Sequence, residues 1–315
     1  MPSKEQLDQL LNQNWVEDFL TKYSKNIFGQ SGSVKVRKVD RSNSFAPESY
    51  PMRYQIEING QQKNIRAVAS LLESREQSYI INKYLFDHGF NSGPVRVSKP
   101  LSYFHQLNLF FYEEAPGKIL MDFIGEHDPI LEDKIVTCAK ALKKIHQTNQ
   151  PSVNLEPRKW FYDEKVILSY DSRINKKVFI QAADDNDVIR TYKGQFCHGD
   201  FQPNNIVFGN EQLYIIDFGS ATLAAKELDV ASFTAQLEVM LRRRYETASP
   251  EKYVQKFLME YGEYDQEKYQ QYYRLFLLNI LNAMISYYNH APAADLNKLR
   301  LTINGWAEKI NQISL

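Results

Sequence analysis

The order of strand-like and helix-like segments is the feature that most restricts the fold of this chain. Five short runs with alternating or β-branched residues lie at 33–40, 52–58, 64–70, 95–103 and 107–114. After the Pro116-Gly117 pair the apolar spacing becomes helical, at 130–148, 158–175, 228–246, 250–262, 265–289 and 294–313. Because the strands cluster early and the helices late, the sequence predicts an α+β fold.

Composition restricts the partners and the compartment. The 315 residues include 38 Lys plus Arg and 38 Asp plus Glu, so the formal net charge is zero. A neutral chain is not attracted as a whole to a nucleic-acid polymer or an anionic membrane, and neither is expected as the main partner. The two cysteines, Cys138 and Cys197, lie in apolar runs and predict no disulfide framework. The first residues lack a signal-peptide pattern, and no apolar run reaches membrane-spanning length. We therefore expect a cytoplasmic protein, of an oligomeric state that the sequence leaves open.

One stretch, FCHGDFQPNNIVFGNEQLYIIDFGSA (196–221), concentrates polar groups at the ends of short strands. Asp200 lies in a loop, and Asn205 leads into the run IVF. A turn at Gly209-Asn210 then leads into LYIID, so a hairpin would return Asp217 to the neighbourhood of Asn205. Two such oxygen ligands suit Mg²⁺, which leaves Asp200 to face a substrate hydroxyl. This division of roles is typical of phosphoryl transfer.

The motif His-Gly-Asp-x4-Asn followed by Ile-Asp-Phe-Gly resembles the aminoglycoside phosphotransferase family, whose relatives include choline kinases and, more distantly, protein kinases. The resemblance implies a bilobal protein kinase-like fold with a small five-stranded antiparallel N-lobe and a larger, mainly helical C-lobe. The N-lobe with its leading helix would span 1–113, and the C-lobe with the catalytic loop and acceptor pocket would span 114–315.

The same resemblance assigns roles in the catalytic loop. Asp200 would be the catalytic base, and Asn205 and Asp217 would be the Mg²⁺ ligands. Asp229, in ELDVASF, would brace the loop. His198 would orient it, or would simply be a buried histidine with satisfied hydrogen bonds.

The nucleotide side departs from the family pattern. No phosphate-binding loop of the G-x4-G-K-[ST] type occurs, and the segment 41–51 offers the hydroxyls of Ser42 and Ser44 instead of glycines. The third strand carries Arg66 where the family normally has lysine. Arginine can bind phosphate and carboxylate bidentately, so Arg66 could hold the phosphates, or it could be an ordinary strand residue.

Two further nucleotide contacts follow from the resemblance. Glu76 would pair with Arg66, with Glu73 as the competing partner in a shifted helix register. The segment FFYEEAPGK is similar to the hinge between lobes, where adenine would bind the backbone near Glu113 and Ala115.

The acceptor is less defined. Only twelve positions separate Asp217 from Asp229, and Gly199 replaces the arginine of protein kinases, so a peptide substrate is disfavoured and a small hydroxylated molecule is expected. The acids Asp184, Asp185 and Asp187 would suit a cationic acceptor, or they form a solvated loop. The tyrosine-rich segment 251–276 would cage a quaternary ammonium, or it packs in the core.

The sequence thus predicts a small-molecule kinase that transfers the γ-phosphate of ATP or GTP, with Mg²⁺, to a hydroxyl of a small acceptor. Acceptors with and without an amino group both fit this hypothesis. The alternative is a catalytically inactive kinase-like module that binds a nucleotide or a partner. A small atypical protein kinase is a third, weaker alternative.

Overall fold

The computed structural model describes residues 1–42, 48–126, 129–155, 158, 160, 162–171, 174–192, 194–244, 250–288 and 296–313. Ser44 lies outside these ranges, so its predicted contact with phosphate stays a prediction. Among the described residues, each helix is too short or too polar to cross a lipid bilayer.

The strands in the described part of the chain are short. They are β1 (Val34–Arg41), β2 (Ser49–Ile58), β3 (Gln61–Ser70), β4 (Val95–Val97), β5 (Pro100–Phe104), β6 (Leu109–Glu113), β7 (Lys118–Ile119), β8 (Gln195–Cys197), β9 (Ile206–Gly209), β10 (Gln212–Ile215) and β11 (Thr222–Ala224).

The α-helices fall at the beginning of the chain and in its second half. They are α1 (Lys4–Asp8), α2 (Gln13–Lys22), α3 (Ser24–Phe28), α4 (Glu76–Leu85), α5 (Leu120–Gly125), α6 (Leu131–His146), α7 (Glu164–Tyr170), α8 (Lys177–Ile189), α9 (Glu227–Arg244), α10 (Pro250–Tyr261), α11 (Gln266–Tyr288) and α12 (Leu296–Ile313).

The chain forms two compact units. The first unit contains Met1–Gly117 and Val207–Gly219, and the second contains Lys118–Ile206 and Ser220–Leu315. The first unit therefore includes the hairpin of β9 and β10 in addition to the N-terminal segment. The predicted lobe boundary between residues 113 and 114 stays a prediction.

The first unit is built on an antiparallel sheet of five strands in the order β1-β2-β3-β6-β5. Asn59 and Gly60, both with positive φ, form the two-residue turn between β2 and β3. Alternate residues of these strands form a buried face, and the apolar sides of α1, α2 and α3 cover it. The predicted α+β class and the five-stranded antiparallel sheet are confirmed.

One predicted strand is divided in the structure. The run 95–103 was expected to be continuous, but Val95–Val97 pairs in parallel with β10, whereas Pro100–Phe104 pairs with β6. Ser98 and Lys99 separate the two parts, and Pro100 begins the second. Because proline lacks a backbone N–H, it can start a strand but interrupts a continuous hydrogen-bond ladder.

The second unit is mainly helical. Helix α11 has an extensive buried face, and its tyrosines Tyr269, Tyr272 and Tyr273 are buried. In the described part of the segment predicted as one helix at 158–175, the helical residues are those of α7, which Asp163 caps by accepting the N–H groups of Lys165 and Val166. The acidic segment that was considered as a solvated loop is helix α8.

Candidate active site

A row of polar side chains lies on the face of the first unit's sheet that is opposite the one covered by α1, α2 and α3. Arg53 on β2 lies directly opposite Arg66 on β3, and Arg66 lies opposite Tyr112 on β6. Side chains that are opposite in an antiparallel pair lie on the same face, so two arginines are direct neighbours here. Like charges in this position repel each other and require a nearby anion.

Glu114 supplies that anion. Its Oε1 accepts Nε of Arg66 at 2.7 Å, and its Oε2 accepts Nε of Arg53 at 2.9 Å. Nη1 of Arg66 also donates to Oγ of Ser42 at 2.9 Å. Glu114 is only 13% exposed, whereas each arginine is about one third exposed. One carboxylate thus fixes both arginines and leaves a net positive charge on this face.

The predicted ion pair between Arg66 and Glu76 is wrong, because Glu114 takes the place of Glu76. Helix α4 buries Ser78, Ile81, Asn82 and Leu85, and Glu76 lies two residues before Ser78. Two residues correspond to about 200° around a helix, so Glu76 faces solvent. The competing candidate Glu73 is also exposed, and its ion-pair contact is with Arg75 at 3.5 Å.

Asp217 ends the hairpin of the first unit. β9 and β10 pair around a turn at Asn210 and Glu211, one residue later than expected. Asp217 is exposed and adopts a φ of 63°, a left-handed conformation that costs energy for a residue with a Cβ. Its Oδ1 accepts the N–H of Gly219 at 3.3 Å. The carboxylate therefore keeps most of its capacity for a ligand.

The segment after β6, where the sequence predicts the adenine contact, has one backbone donor that differs from its neighbours. The N–H groups of Glu113 and Glu114 donate to Lys99 O and Asn64 O, at 2.9 and 3.1 Å. The N–H of Ala115 donates to no residue in the described part of the chain. A half-buried backbone donor without a protein partner can bind a hydrogen-bond acceptor on a ligand.

In the second unit, the loop after β8 is fixed by Asp229. This residue is fully buried, and its Oδ2 and Oδ1 accept the backbone N–H groups of His198 and Gly199 at 2.7 and 2.8 Å. Nε2 of His146 lies 3.0 Å from Oδ2, and Nδ1 of His146 contacts the hydroxyl of Tyr261 at 2.8 Å. These contacts connect the loop to α6, α9 and α10.

Electrostatics favours the ionised form of Asp229. Burial raises the pKa of this carboxyl, but the hydrogen bond with His146 and the nearby His146 and His198 outweigh burial, so the pKa lies below its ordinary value. An ionised carboxylate can accept both backbone N–H groups of the loop.

Asp200 and Asn205 are joined directly. Nδ2 of Asn205 donates to the backbone O of Asp200 at 2.9 Å and to its Oδ2 at 3.0 Å. Nε2 of Gln202 donates to the same Oδ2 at 2.8 Å, and the N–H of Asp200 donates to Nδ1 of His198 at 3.3 Å. The loop thus fixes the orientation of the Asp200 carboxylate, and the buried His198 organises its backbone.

Position 199 requires a glycine, both because of its backbone conformation and because of the neighbouring chain. It has a φ of 79°, and a Cβ built on it would overlap the carbonyl oxygen of Ser220. Ser220 directly precedes the segment whose Thr222 pairs with Cys197 at the end of β8. A glycine therefore allows the loop to pass close to the chain that leads into β11.

Sequence reasoning missed Arg158. Its Nη1 donates to the carbonyl of Gly199, and its guanidinium lies over the rings of Phe276 and Trp160, at 4.8 and 5.2 Å from their centroids. Burial lowers the pKa of Arg158, and the charges of Asp200 and Asp229 partly offset that effect. The sequence offered no spacing that links Arg158 to a loop 41 residues away.

The three acids proposed for acceptor binding do not converge. Asp185 is 1% exposed and forms an ion pair with Arg274, with 2.7 Å between Oδ2 and Nε. Asp184 and Asp187 lie on the exposed side of α8. Asp185 therefore stabilises the packing of α8 on α11, and its charge is already neutralised.

Asn205 of the second unit and Asp217 of the first unit each keep oxygen atoms that are available to a ligand. Since Nδ2 of Asn205 is engaged by Asp200, its Oδ1 remains as an acceptor, and Asp217 offers a carboxylate. Such oxygens are the ligands that Mg²⁺ prefers. In contrast, the ligand atoms of His146, Cys197 and Asp229 lie within 4.8 Å of one another, but both oxygens of Asp229 already accept backbone N–H groups.

The fold and the loop define a phosphotransferase of kinase-like architecture. Residues 66–272 match the model of the phosphotransferase enzyme family (APH), which is more than half of the chain. The chain belongs to this family, and the resemblance drawn from its motifs is confirmed. A search of the curated proteins found no match.

Solved structures share the fold at low identity. An ethanolamine kinase of Plasmodium vivax is 14% identical with a TM-score of 0.59, over 100% of this chain and 96% of that one. Amicoumacin kinase in complex with AMP-PNP and Ca²⁺ is 13% identical with a TM-score of 0.59, over 98% and 96%. Spectinomycin phosphotransferase in complex with ADP and spectinomycin is 14% identical with a TM-score of 0.56, over 94% and 97%.

Proposed function

We propose that this protein is a small-molecule kinase that transfers the γ-phosphate of ATP to a hydroxyl group of its acceptor. The observation that carries the proposal is the loop from His198 to Asn205, in which Asp229 holds the backbone and Asn205 orients the Asp200 carboxylate. Family membership supports the reaction class.

Each polar residue has a role in this proposal. Asp200 accepts the proton of the acceptor hydroxyl and aligns that hydroxyl with the γ-phosphate. Asn205 and Asp217 hold Mg²⁺, which when bound neutralises the charge of the phosphates. Arg66, fixed by Glu114, faces the phosphates together with Ser42, and the backbone at Glu113 and Ala115 receives adenine. Catalysis is then mainly positioning and charge stabilisation.

The acceptor class follows from weaker support. Amino alcohols and amino sugars are the first acceptors to test, because the structural neighbours are named for ethanolamine and spectinomycin. Asp184 and Asp187 remain candidates for binding an amine, whereas Asp185 is committed to Arg274. The nucleotide is proposed to be ATP, and GTP serves as a comparison.

Nucleotide binding is tested first. We expect ATP with Mg²⁺ to raise the melting temperature of the wild type, because a ligand that binds only the folded state stabilises it. Asp217→Asn should lose the magnesium-dependent part of this shift. The absence of a shift with ATP, GTP and a non-hydrolysable analogue would contradict the proposed nucleotide site.

Turnover is tested next, with a panel of hydroxylated amines, sugars and alcohols and detection of the phosphorylated product. Asp200→Asn should abolish transfer while nucleotide binding stays intact. Nucleotide binding without product across the panel would favour the inactive binding module. Full turnover by Asp200→Asn would show that another group removes the proton.

A further inference from the structure

The first unit contains a third arginine next to the proposed nucleotide site, Arg75, directly before helix α4. Its side chain is 12% exposed, which is low for an arginine. Nη2 makes two long contacts, with Oγ of Ser49 at 3.4 Å and with the exposed carboxylate of Glu73 at 3.5 Å. Its Nε is buried without a hydrogen-bond partner. The charge of Arg75 is therefore poorly neutralised.

The two arginines on the sheet, Arg53 and Arg66, differ from Arg75 because a carboxylate already neutralises them. Arg53 and Arg66 both contact Glu114 at distances of 2.6 to 2.9 Å. A guanidinium that is saturated by a buried carboxylate has fewer N–H groups for a ligand. Arg75 has no such partner among the described residues, so it keeps the larger binding capacity.

Nη1 of Arg75 lies near the carboxylate of Asp217. A Cβ built on Gly219 would lie 3.3 Å from Nη1 of Arg75 and 3.2 Å from Oδ1 of Asp217, so these two atoms flank the same small space. No direct ion pair joins them within the described residues. A glycine at 219 keeps the space open, and an oxygen atom located there would contact Arg75 from beside the proposed magnesium ligand.

The phenol of Tyr112 lies close to the same charges. Burial and the charge of Asp217 raise the pKa of Tyr112 to about 12, even though Arg66 and Arg75 act in the opposite direction. The phenol of Tyr112 is therefore near three charged side chains, those of Asp217, Arg66 and Arg75.

We infer that Arg75 is a binding residue for the polyphosphate chain of the nucleotide, in addition to Arg66. The ligand class is a nucleoside di- or triphosphate, because a phosphate oxygen beside Asp217 would fill the space at Gly219 and give Nη1 its missing acceptor. This inference rests on the proposed function, since it assumes that the nucleotide binds at Asp217.

The test measures dissociation constants of ADP and adenosine by calorimetry for the wild type, Arg75→Gln and Arg75→Lys. Arg75→Gln should weaken ADP at least tenfold and leave adenosine within twofold, and Arg75→Lys should recover part of the ADP affinity. The matched control is Arg37→Gln, because Arg37 is also an ion-paired arginine of this unit but is exposed. Melting temperatures establish that each variant is folded.

The outcomes separate this inference from the proposed function. If the wild type binds neither ADP nor AMP-PNP, the proposed function fails and the inference fails with it. If the wild type binds ADP and Arg75→Gln binds it equally well, only the inference is overturned. An equal loss of ADP and adenosine would also overturn it, because Arg75 would then support the fold of the unit instead of the phosphates.

Discussion

The backbone N–H of His198 donates to Oδ2 of Asp229 at 2.7 Å, although 31 residues separate the two along the chain. Gly199 donates to the other oxygen of the same carboxylate. The position of the loop that carries Asp200 therefore depends on a single buried anion on helix α9.

Asp229→Asn should destabilise the protein by about 3–5 kcal/mol at pH 7, because an asparagine amide cannot accept both N–H groups and the contact with His146 changes. Urea unfolding measures this difference. Asp184→Asn is the control, since Asp184 is exposed on α8 and should change stability by less than about 0.5 kcal/mol. Equal stability of wild type and Asp229→Asn would contradict the role of Asp229.

The same pair predicts a pH dependence. Because the pKa of Asp229 is lowered in the folded state, its stabilisation is fully present above its ordinary pKa of 3.8 and is lost as the pH falls through the folded-state value. The difference in unfolding free energy between wild type and Asp229→Asn should therefore be constant from about pH 6 to pH 5 and shrink below about pH 4.

Gly199→Ala should cost more stability than Gly262→Ala. Both glycines have positive φ, 79° and 85°, so alanine pays about 1–2 kcal/mol at either position. Only at Gly199 would the new Cβ overlap the backbone, at Ser220 O, whereas the nearest atom at Gly262 is Nζ of Lys143 at 3.5 Å. Urea unfolding of both variants isolates the overlap. Equal losses would show that the loop can move away from Ser220.

Part of this site was predictable from sequence and part was not. The strand pattern gives the five-stranded sheet, and the two-residue turn Asn59-Gly60 fixes the register that places Arg53 opposite Arg66. Analogy with the family predicts Glu76 as the partner of Arg66, whereas in the structure the partner is Glu114. The burial pattern of α4 depends on tertiary packing, and a shift of one or two residues moves a side chain to the other face.

Arg158 and Arg75 show a second limit. Arg158 contacts Gly199, and Arg75 lies near Asp217, although each pair is distant in sequence and no periodicity links its members. The polar loop motif is local, so its residue types and spacing alone predict Asp200, Asn205 and Asp217 as site residues. Arg158 and Arg75 lie in segments without a local motif. Only the fold brings Arg158 close to Gly199 and Arg75 close to Asp217.

Arg158→Met should reduce kcat more than it changes the KM for ATP. Methionine keeps much of the apolar contact with Phe276 but removes the hydrogen bond to Gly199 O and the positive charge near Asp200. We expect at least a tenfold loss in kcat, and partial recovery in Arg158→Lys, whose ammonium retains the charge but not the planar geometry. The experiment is steady-state kinetics with the acceptor found in the panel. An unchanged kcat would show that Arg158 only fills space between the loop and α11.

The ion pair between Arg66 and Glu114 is tested by a double-mutant cycle. Because Nε and Nη2 of Arg66 both contact Oε1 of Glu114, at 2.7 and 2.6 Å, Arg66→Gln combined with Glu114→Gln should show a coupling energy of about 1 kcal/mol or more in unfolding experiments. The matched cycle with Glu76→Gln should show coupling near zero, since Glu76 is exposed in the first turn of α4. Coupling of Arg66 with Glu76, together with no coupling of Arg66 with Glu114, would show that Glu76 is the partner of Arg66. If neither cycle shows coupling, solvent screens the pair, and the face of the sheet relies on Arg66 contacts with a bound ligand instead.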